Sequence, residues 1–431
     1  MMDFSTYKEI SFSSSDKIQA VQQRLLRKHL DYCQEHSPFY QRLFKRHKIN
    51  PTEITLANLC ELPFTNKADI EKNNDEFLAA RPDRIVDIVL SSGTAGKPTK
   101  IAYTESDLKR LAYNEEKSFL ACGFNAKDVV LLTCTLDRCF VAGLAYFLGI
   151  RALGAAAIRN GLNSVDSHVQ VIQRMRPTAL VGVPSFLRKL GISLAEKKPT
   201  MRKQAVSKLV CIGEPLRGED LGFLKVARDL EEIWGAKAYS TYSSSEIVTT
   251  FCECDAQAGG HLHPDLAIVE IVDDEGAVLA PGRKGEVVVT PMAVEGMPLV
   301  RFKTGDISFI IDTPCNCGRN TLRLGPILGR KKQMMKVRGT TIYPQTLYSA
   351  IEEIKGVREY YIVVTSESEL SDNIEVHLSV DSPDWAPEAI QEKLQARLRL
   401  KPRVLISDDV SIRGQVYNPE SRKPIRFIDR R

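Results

Sequence analysis

The sequence has no apolar run of the roughly 20 residues that a membrane-spanning helix needs, so no membrane partner is expected. It has no strong excess of one charge: 59 lysines and arginines stand against 54 acids, a formal net charge of +5. That balance leaves no electrostatic footprint for nucleic acid. Basic and acidic groups are mostly interleaved, and GRKKQMMKVRG (329–339) is the main exception. The opening residues MMDFSTYKEISFSSSDK hold no apolar core of a signal peptide. With no secretion signal, the ten cysteines are expected as reduced thiols and the protein as cytoplasmic. Internal repeats and low-complexity segments are also missing. What is present is ordinary for a globular enzyme: 43% apolar and 26% charged residues in 431, enough for two to four domains.

The pattern along the chain is one of alternation. Apolar residues Leu25, Leu26, Leu30 and Cys33 recur at helical spacing within 16–48, and SPFY (37–40) interrupts them. LPFTNKADI (62–70) reads as a loop capping a helix. From Asp128 onward, strand-like and helical stretches alternate. DVVLLTCT, AAAI, ALVGVP and KLVCIGEP read as strands, and 141–153, 164–176 and 185–196 as helices. That rhythm predicts parallel βαβ units with helices on both faces of a sheet. From 266 the texture becomes short strands between Asp-Asp-Glu-Gly and Pro-Gly turns, which predicts an antiparallel or barrel-like subdomain. The expected class is therefore α/β. It comprises a large N-terminal domain (1–328) of layered sheets plus a β-barrel-like part, and a small mobile α+β domain (329–431).

Several strand ends carry chemistry-bearing residues. IVLSSGTAGKPTKIAY (88–103) places Ser91, Ser92, Gly93, Thr94, Gly96 and Lys97 after a β-branched run. It is not the common NTPase loop, because that spacing would need glycine at Ser91 and a hydroxyl at Pro98. A hydroxyl-rich phosphate clamp and a plain hairpin turn both fit the composition. YSTYSSSEI (239–247) sets Glu246 after a hydroxyl-rich turn, suited to Mg²⁺ or simply to a helix N-terminus. VRFKTGDIS (300–308) sets Asp306 in a Thr-Gly-Asp turn, either a ribose acceptor or a turn aspartate. CIGEPLR (211–217) is a further strand followed by a glycine-containing loop. GRKKQMMKVRGTTIYP (329–344) reads as a binding segment or as a solvated linker. Cys252, Cys254, His261, His263, Cys315 and Cys317 fall in two short clusters, suited to tetrahedral Zn²⁺ or to buried free thiols.

In order and spacing the set resembles the adenylate-forming enzymes: acyl-CoA synthetases, aryl-CoA ligases and adenylation domains. SSGTAGKPT is similar to their phosphate loop, YSSSE to their aromatic-to-glutamate motif, RFKTGD to their ribose motif and GRKKQMMKVRG to their domain hinge. ESRKPIRFID (420–429) resembles the segment that carries their C-terminal catalytic lysine. Within the superfamily, SPFYQRLFK and LPFTNKADI resemble the phenylacetate-CoA ligase group. The resemblance runs from about residue 20 to the end.

The resemblance implies a carboxylic acid attacking ATP to give an acyl-adenylate and pyrophosphate, with coenzyme A then taking the acyl group. It implies Lys423 as the clamp on both anions of the first step. Ser91, Ser92, Gly93, Thr94, Gly96 and Lys97 would be on the phosphates, and Glu246 on Mg²⁺. Glu214, Pro215, Tyr242 and Ser243 would be around the adenine, and Asp306 on the ribose. Arg330 would be at the hinge and Gly339 beside the pantetheine chain. It implies a structural Zn²⁺ on Cys254, His261, Cys315 and Cys317, with Cys252 and His263 as spares, and a homodimer as the assembly. The chain departs from the family pattern at Ala95, Lys332 and Arg422. Around LDRCFVAGLAYF (136–147) it lacks the glycine-rich pattern of phenylacetate enzymes. Arg138 and Arg159 are open to two readings, as surface residues or as partners of a second carboxylate. Three alternatives stay open: a carrier-protein thiol as acceptor, transfer of the nucleotide itself, and a catalytically silent nucleotide-binding protein.

Overall fold

In the computed structural model, which describes residues 4–91, 99–197, 206–337, 340–368, 371–398, 400–417 and 424–431, the alternating stretch forms a six-stranded sheet. Its strand order is Ala156–Arg159, Val129–Leu132, Ala179–Gly182, Lys208–Cys211, Lys237–Ser244 and Thr249–Cys252. The first five run parallel and the last is antiparallel. Val130, Leu131, Leu132, Leu180, Val181 and Leu209 are fully buried, as a parallel sheet covered on both faces requires. Helices Val141–Leu153, Val165–Met175, Pro184–Lys197 and Lys225–Trp234 connect these strands. The first three end within a residue of the stops expected from periodicity, at 153, 176 and 196, and the fourth was not anticipated. Gly154 and Gly235 close two of them at φ +83° and +64°, a conformation glycine adopts without strain.

The N-terminal helical stretch is two helices, Ser15–His36 and Pro38–His47, with Ser37 between them and proline opening the second. LPFTNKADI behaves as its capping pattern predicts. Asn66 accepts from the Asp69 backbone N–H, and the Asp69 carboxylate returns a bond to the Asn66 N–H.

The barrel-like expectation is corrected. The second sheet is open among the described residues, with the order Thr65–Asn66, Phe302–Ser308, Gly285–Pro291, Ala267–Val272, and Gly329–Arg330 also pairs with Phe302–Ser308. Short turns fix neighbour pairing, but closure needs a tilt and stagger carried around the whole circuit, which local pattern does not encode. A three-stranded sheet of two-residue strands, Gly260–His261, Arg323–Leu324 and Ile310–Ile311, lies apart. The hairpin Ile85–Ser91 with Thr99–Thr104 closes at the pair Ser91 and Thr99.

The C-terminal part is a four-stranded mixed sheet: Arg403–Ile406, Ser371–Val380, Val357–Ser368 and Phe427–Asp429. Helices Pro344–Glu352 and Pro387–Leu398 contribute Leu347, Ile351, Ile390 and Leu394 to a core that draws its buried residues from Met335 onward.

Candidate active site

A cavity of about 650 Å³ opens at the carboxyl ends of the parallel strands. Cys134 and Thr135 reach it after one strand, Val183 after the next, and Ile212, Gly213, Glu214 and Pro215 after a third. Ser240–Ser244 form a further wall. Parallel strands deliver their following loops to one edge of the sheet, so side chains far apart in sequence meet there. Phe140, Tyr146 and Phe251 add aromatic surface. Gln345 and Tyr348 bring in the C-terminal part.

Tyr242, Asp306 and Arg330 converge at this cavity. The Tyr242 hydroxyl donates to Asp306 Oδ2 at 2.8 Å, and Arg330 Nε lies 3.6 Å from Asp306 Oδ1. Burial, with Asp306 next, holds the Tyr242 hydroxyl well above its ordinary range, so it stays a donor. Asp306 is not in a turn, as the sequence suggested. Thr304, Gly305 and Asp306 form a bulge inside the strand Phe302–Ser308, three residues facing Val287 alone, with Gly305 at φ +77°. A bulge re-aims a side chain out of the ladder, and here it turns the carboxylate towards Tyr242.

Glu246 lies in the turn between Lys237–Ser244 and Thr249–Cys252, not at a helix N-terminus. Its carboxylate is nearly buried and pairs with Lys67 Nζ at 3.5 Å. Tyr103 donates to the Ser245 carbonyl at 3.0 Å and fixes this turn. Sequence reading passed over Lys67; the one signal was its place in LPFTNKADI. Glu214 lines the cavity, but its carboxylate accepts from the Ser185 backbone N–H at 2.9 Å and hydroxyl at 2.8 Å. Burial raises its pKa, and those two bonds oppose the rise. Pro215 and Ser243 also line the cavity. Ser91 is buried at the loop end of the hairpin, paired with Thr99. Ser92, Gly93, Thr94, Gly96, Lys97, Gly339 and Lys423 lie outside the described residues.

The floor of the cavity holds a group that sequence reasoning missed. Arg217 donates through Nε and Nη2 to both oxygens of Glu253, each at 3.0 Å, and to the Ala238 carbonyl at 2.9 Å. Glu253 also accepts from the Ser240 backbone N–H at 2.8 Å. The pair therefore locks the strand from which Tyr242 extends. Of the two arginines left open, Arg138 lines the cavity, with φ +58°. Arg159 instead lies over the Phe147 ring at 5.0 Å.

Cys254, His261, Cys315 and Cys317 come together with their donor atoms all within 4.8 Å of one another. Cys254 Sγ is 3.5 Å from Cys315 Sγ, and Cys317 Sγ is 3.3 Å from His261 Nε2. His261 Nδ1 lies 2.9 Å from Thr321 Oγ1, which orients the ring. Burial, with Arg319 and Arg323 nearby, lowers the His261 pKa to about 3, so the imidazole is a neutral donor. The spares lie elsewhere. Cys252 Sγ faces Cys122 Sγ at 3.2 Å, and the His263 ring is buried beside Phe251.

The family model described as AMP-binding enzyme matches residues 19–294, and that for the AMP-binding enzyme C-terminal domain matches 339–431. Over 98% of this chain and 99% of the relative, the sequence is 28% identical to phenylacetate-coenzyme A ligase of Thermus thermophilus. It is 27% identical to the Escherichia coli protein of the same name, over 98% and 97%. The fold matches a crystal structure of 2-hydroxyisobutyryl-CoA ligase in the postadenylation state. The TM-score is 0.86 at 21% identity, covering 99% of this chain and 92% of the other.

Proposed function

The chain belongs to the AMP-binding enzymes, and from that premise we propose that it is an ATP-dependent ligase. It joins a carboxylic acid, aryl or related, to coenzyme A through an acyl-adenylate. The observation that carries this reading is the convergence of Tyr242, Asp306 and Arg330 on a cavity at the strand ends. A carboxylate accepts from hydroxyls such as the ribose diol, and a phenol ring offers a face to the base. Phe140, Tyr146 and Phe251 give the acid an apolar, aromatic surround.

In the first half-reaction an oxygen of the acid attacks the α-phosphorus and the bond to pyrophosphate breaks. Two anions must approach, so the site has to supply positive charge. Lys423 is assigned that task. Thr94, Ser92 and Lys97 are assigned the β- and γ-phosphates, with Gly93 and Gly96 allowing close backbone approach. Mg²⁺ held at Glu246 would add charge neutralisation, and the nearly buried carboxylate fits such an ion. In the second half-reaction the coenzyme A thiol attacks the carbonyl carbon and AMP leaves, with Gly339 beside the incoming chain. The four-donor cluster is assigned a structural Zn²⁺. Its four positions are all filled by protein, and two of its donor separations are near the edges of a zinc tetrahedron.

The test is pyrophosphate release with ATP and Mg²⁺ across aryl, branched and dicarboxylic acids, with and without coenzyme A. Release that needs one acid and turns over only with coenzyme A supports the ligase. Release indifferent to coenzyme A points to another acceptor. Binding of ATP with no release for any acid favours the silent nucleotide-binding protein.

A further inference from the structure

The segment from Gly329 to Lys336 joins the two parts of the chain, and its attachments change sides within a few residues. Gly329 and Arg330 pair as a strand with Ile307 and Asp306. Lys331 Nζ then reaches Asp274 Oδ1 at 2.8 Å and Glu286 Oε2 at 3.2 Å, both on the N-terminal part. From Lys332 the C-terminal part takes hold. Arg431 donates to the Lys332 carbonyl at 3.2 Å and to the Met334 carbonyl at 2.7 Å, and the Lys336 N–H donates to Asp372 at 2.7 Å. Met335 is buried in the C-terminal core. The change of sides therefore falls between Lys331 and Lys332. Burial opposes the charge of Lys331, and its bonds to Asp274 and Glu286 outweigh that and raise its pKa, so it stays an ammonium. Glu286 is 7% exposed and Asp274 77%, so the clasp has one buried arm and one solvated arm.

What this clasp holds in place also walls the cavity. Gln333, Pro344, Gln345 and Tyr348 line it from the C-terminal side. The chain superposes on 2-hydroxyisobutyryl-CoA ligase with a TM-score of 0.86 in that enzyme's postadenylation state and 0.70 in its thioesterification state. The two parts are thus arranged here as in the former. We propose that Lys331 is a positioning residue, a latch on Asp274 and Glu286 that holds the C-terminal part over the cavity for adenylate formation and releases it before the thiol reacts. The inference rests on the ligase reading above. A clasp with a solvated arm suits that task, because exposed ion pairs are weak enough to open at little cost. Lys303 Nζ lies 3.8 Å from Glu286, so the buried carboxylate keeps a cationic neighbour when Lys331 leaves.

Two variants of the full chain test the latch: Asp274→Asn, which leaves the joining segment's own sequence intact, and Lys331→Met, with Lys331→Arg as the conservative replacement. Cleavage after Arg330 by an arginine-specific protease needs the strand Gly329–Arg330 to detach, and the fragments 1–330 and 331–431 report it by mass. It is expected to speed up about twofold in Asp274→Asn and about fivefold in Lys331→Met, with Lys331→Arg near the unaltered protein and Tm unchanged throughout. In single turnovers with the acid found by the pyrophosphate panel, Lys331→Met should slow pyrophosphate release about fivefold, while thioester formation from supplied acyl-adenylate holds or rises. Unchanged cleavage in both variants would overturn the latch. Equal losses in the two half-reactions, or a fall in Tm, would mark a merely structural role and overturn it too. No pyrophosphate release by the unaltered protein with any acid would overturn the ligase reading and the latch's part in catalysis, while faster cleavage would still show Lys331 holding the segment.

Discussion

Zinc removal gives the sharpest perturbation. The metal would join Cys254 after one sheet, His261 in the three-stranded sheet, and Cys315 and Cys317 in its connecting loop. Strands of two residues cannot hold such a sheet on their own. A zinc tetrahedron with bonds of about 2.3 Å to sulfur and 2.0 Å to nitrogen has edges of about 3.5–3.8 Å. The observed 3.5 Å between Cys254 and Cys315 and 3.3 Å between Cys317 and His261 are within a few tenths of that. At free zinc a thousandfold above its dissociation constant, binding stabilises the folded form by about 4 kcal/mol. At roughly 2 °C per kcal/mol for a large domain, chelation or Cys315→Ser should lower Tm by about 8 °C. Gly259, Gly260, Leu324 and Gly325 line the cavity, so ATP affinity should fall in parallel. The assay is elemental analysis of purified protein with thermal unfolding before and after chelation. Well under one zinc per chain, or an unchanged Tm after zinc is removed, would refute the reasoning.

Three further outcomes are expected. Lys423→Ala should lose acid-dependent pyrophosphate release yet still convert supplied acyl-adenylate to thioester; survival of both half-reactions would show the lysine misassigned. Arg217→Met strands the Glu253 carboxylate in a site where both partners are about 1% exposed. It should cost about 3–5 kcal/mol, partly recovered in Arg217→Met with Glu253→Gln, and a denaturant double-mutant cycle without recovery would rule out this coupling. Burial pushes the Glu115 carboxyl from 4.5 up to about 7, against the Thr250 hydroxyl bond to it. The folded form then holds that proton more tightly, so its contribution is full below about pH 4.5 and lost as pH rises through 7. Glu115→Gln does not titrate, so its stability relative to the unaltered protein should rise between pH 5 and 8, on the order of 3 kcal/mol. A difference in Tm that stays flat with pH would contradict this.

Periodicity and turn chemistry are local, and what depends on them was legible in order along the chain. The helix Val141–Leu153, the strand Ala156–Arg159 and the Asn66 cap all follow from residues within one or two turns of each other. The strand-end motifs could also be found, because parallel strands in a covered sheet send their loops to a common edge. Six clustered thiols and imidazoles stood out in the sequence, the choice of Cys254, His261, Cys315 and Cys317 among them rested on the family resemblance, and the fold brings those four together. Tertiary structure decided the rest. The Thr-Gly-Asp stretch reads as a turn, and only the register shift between the pairs Glu286–Ile307 and Val288–Lys303 makes it a bulge. Tyr242 and Asp306 are 64 residues apart and meet only because two sheets pack together. Arg217 and Glu253 carry no pattern that marks them as a pair, and Lys67 reads as one more helix lysine until the fold sets it against Glu246. Closure of a barrel likewise depends on stagger summed over all strands, and among the described residues the sheet stays open. Local sequence sets the conformation of a segment. Which charges face one another is set by the packing of segments that are distant in sequence.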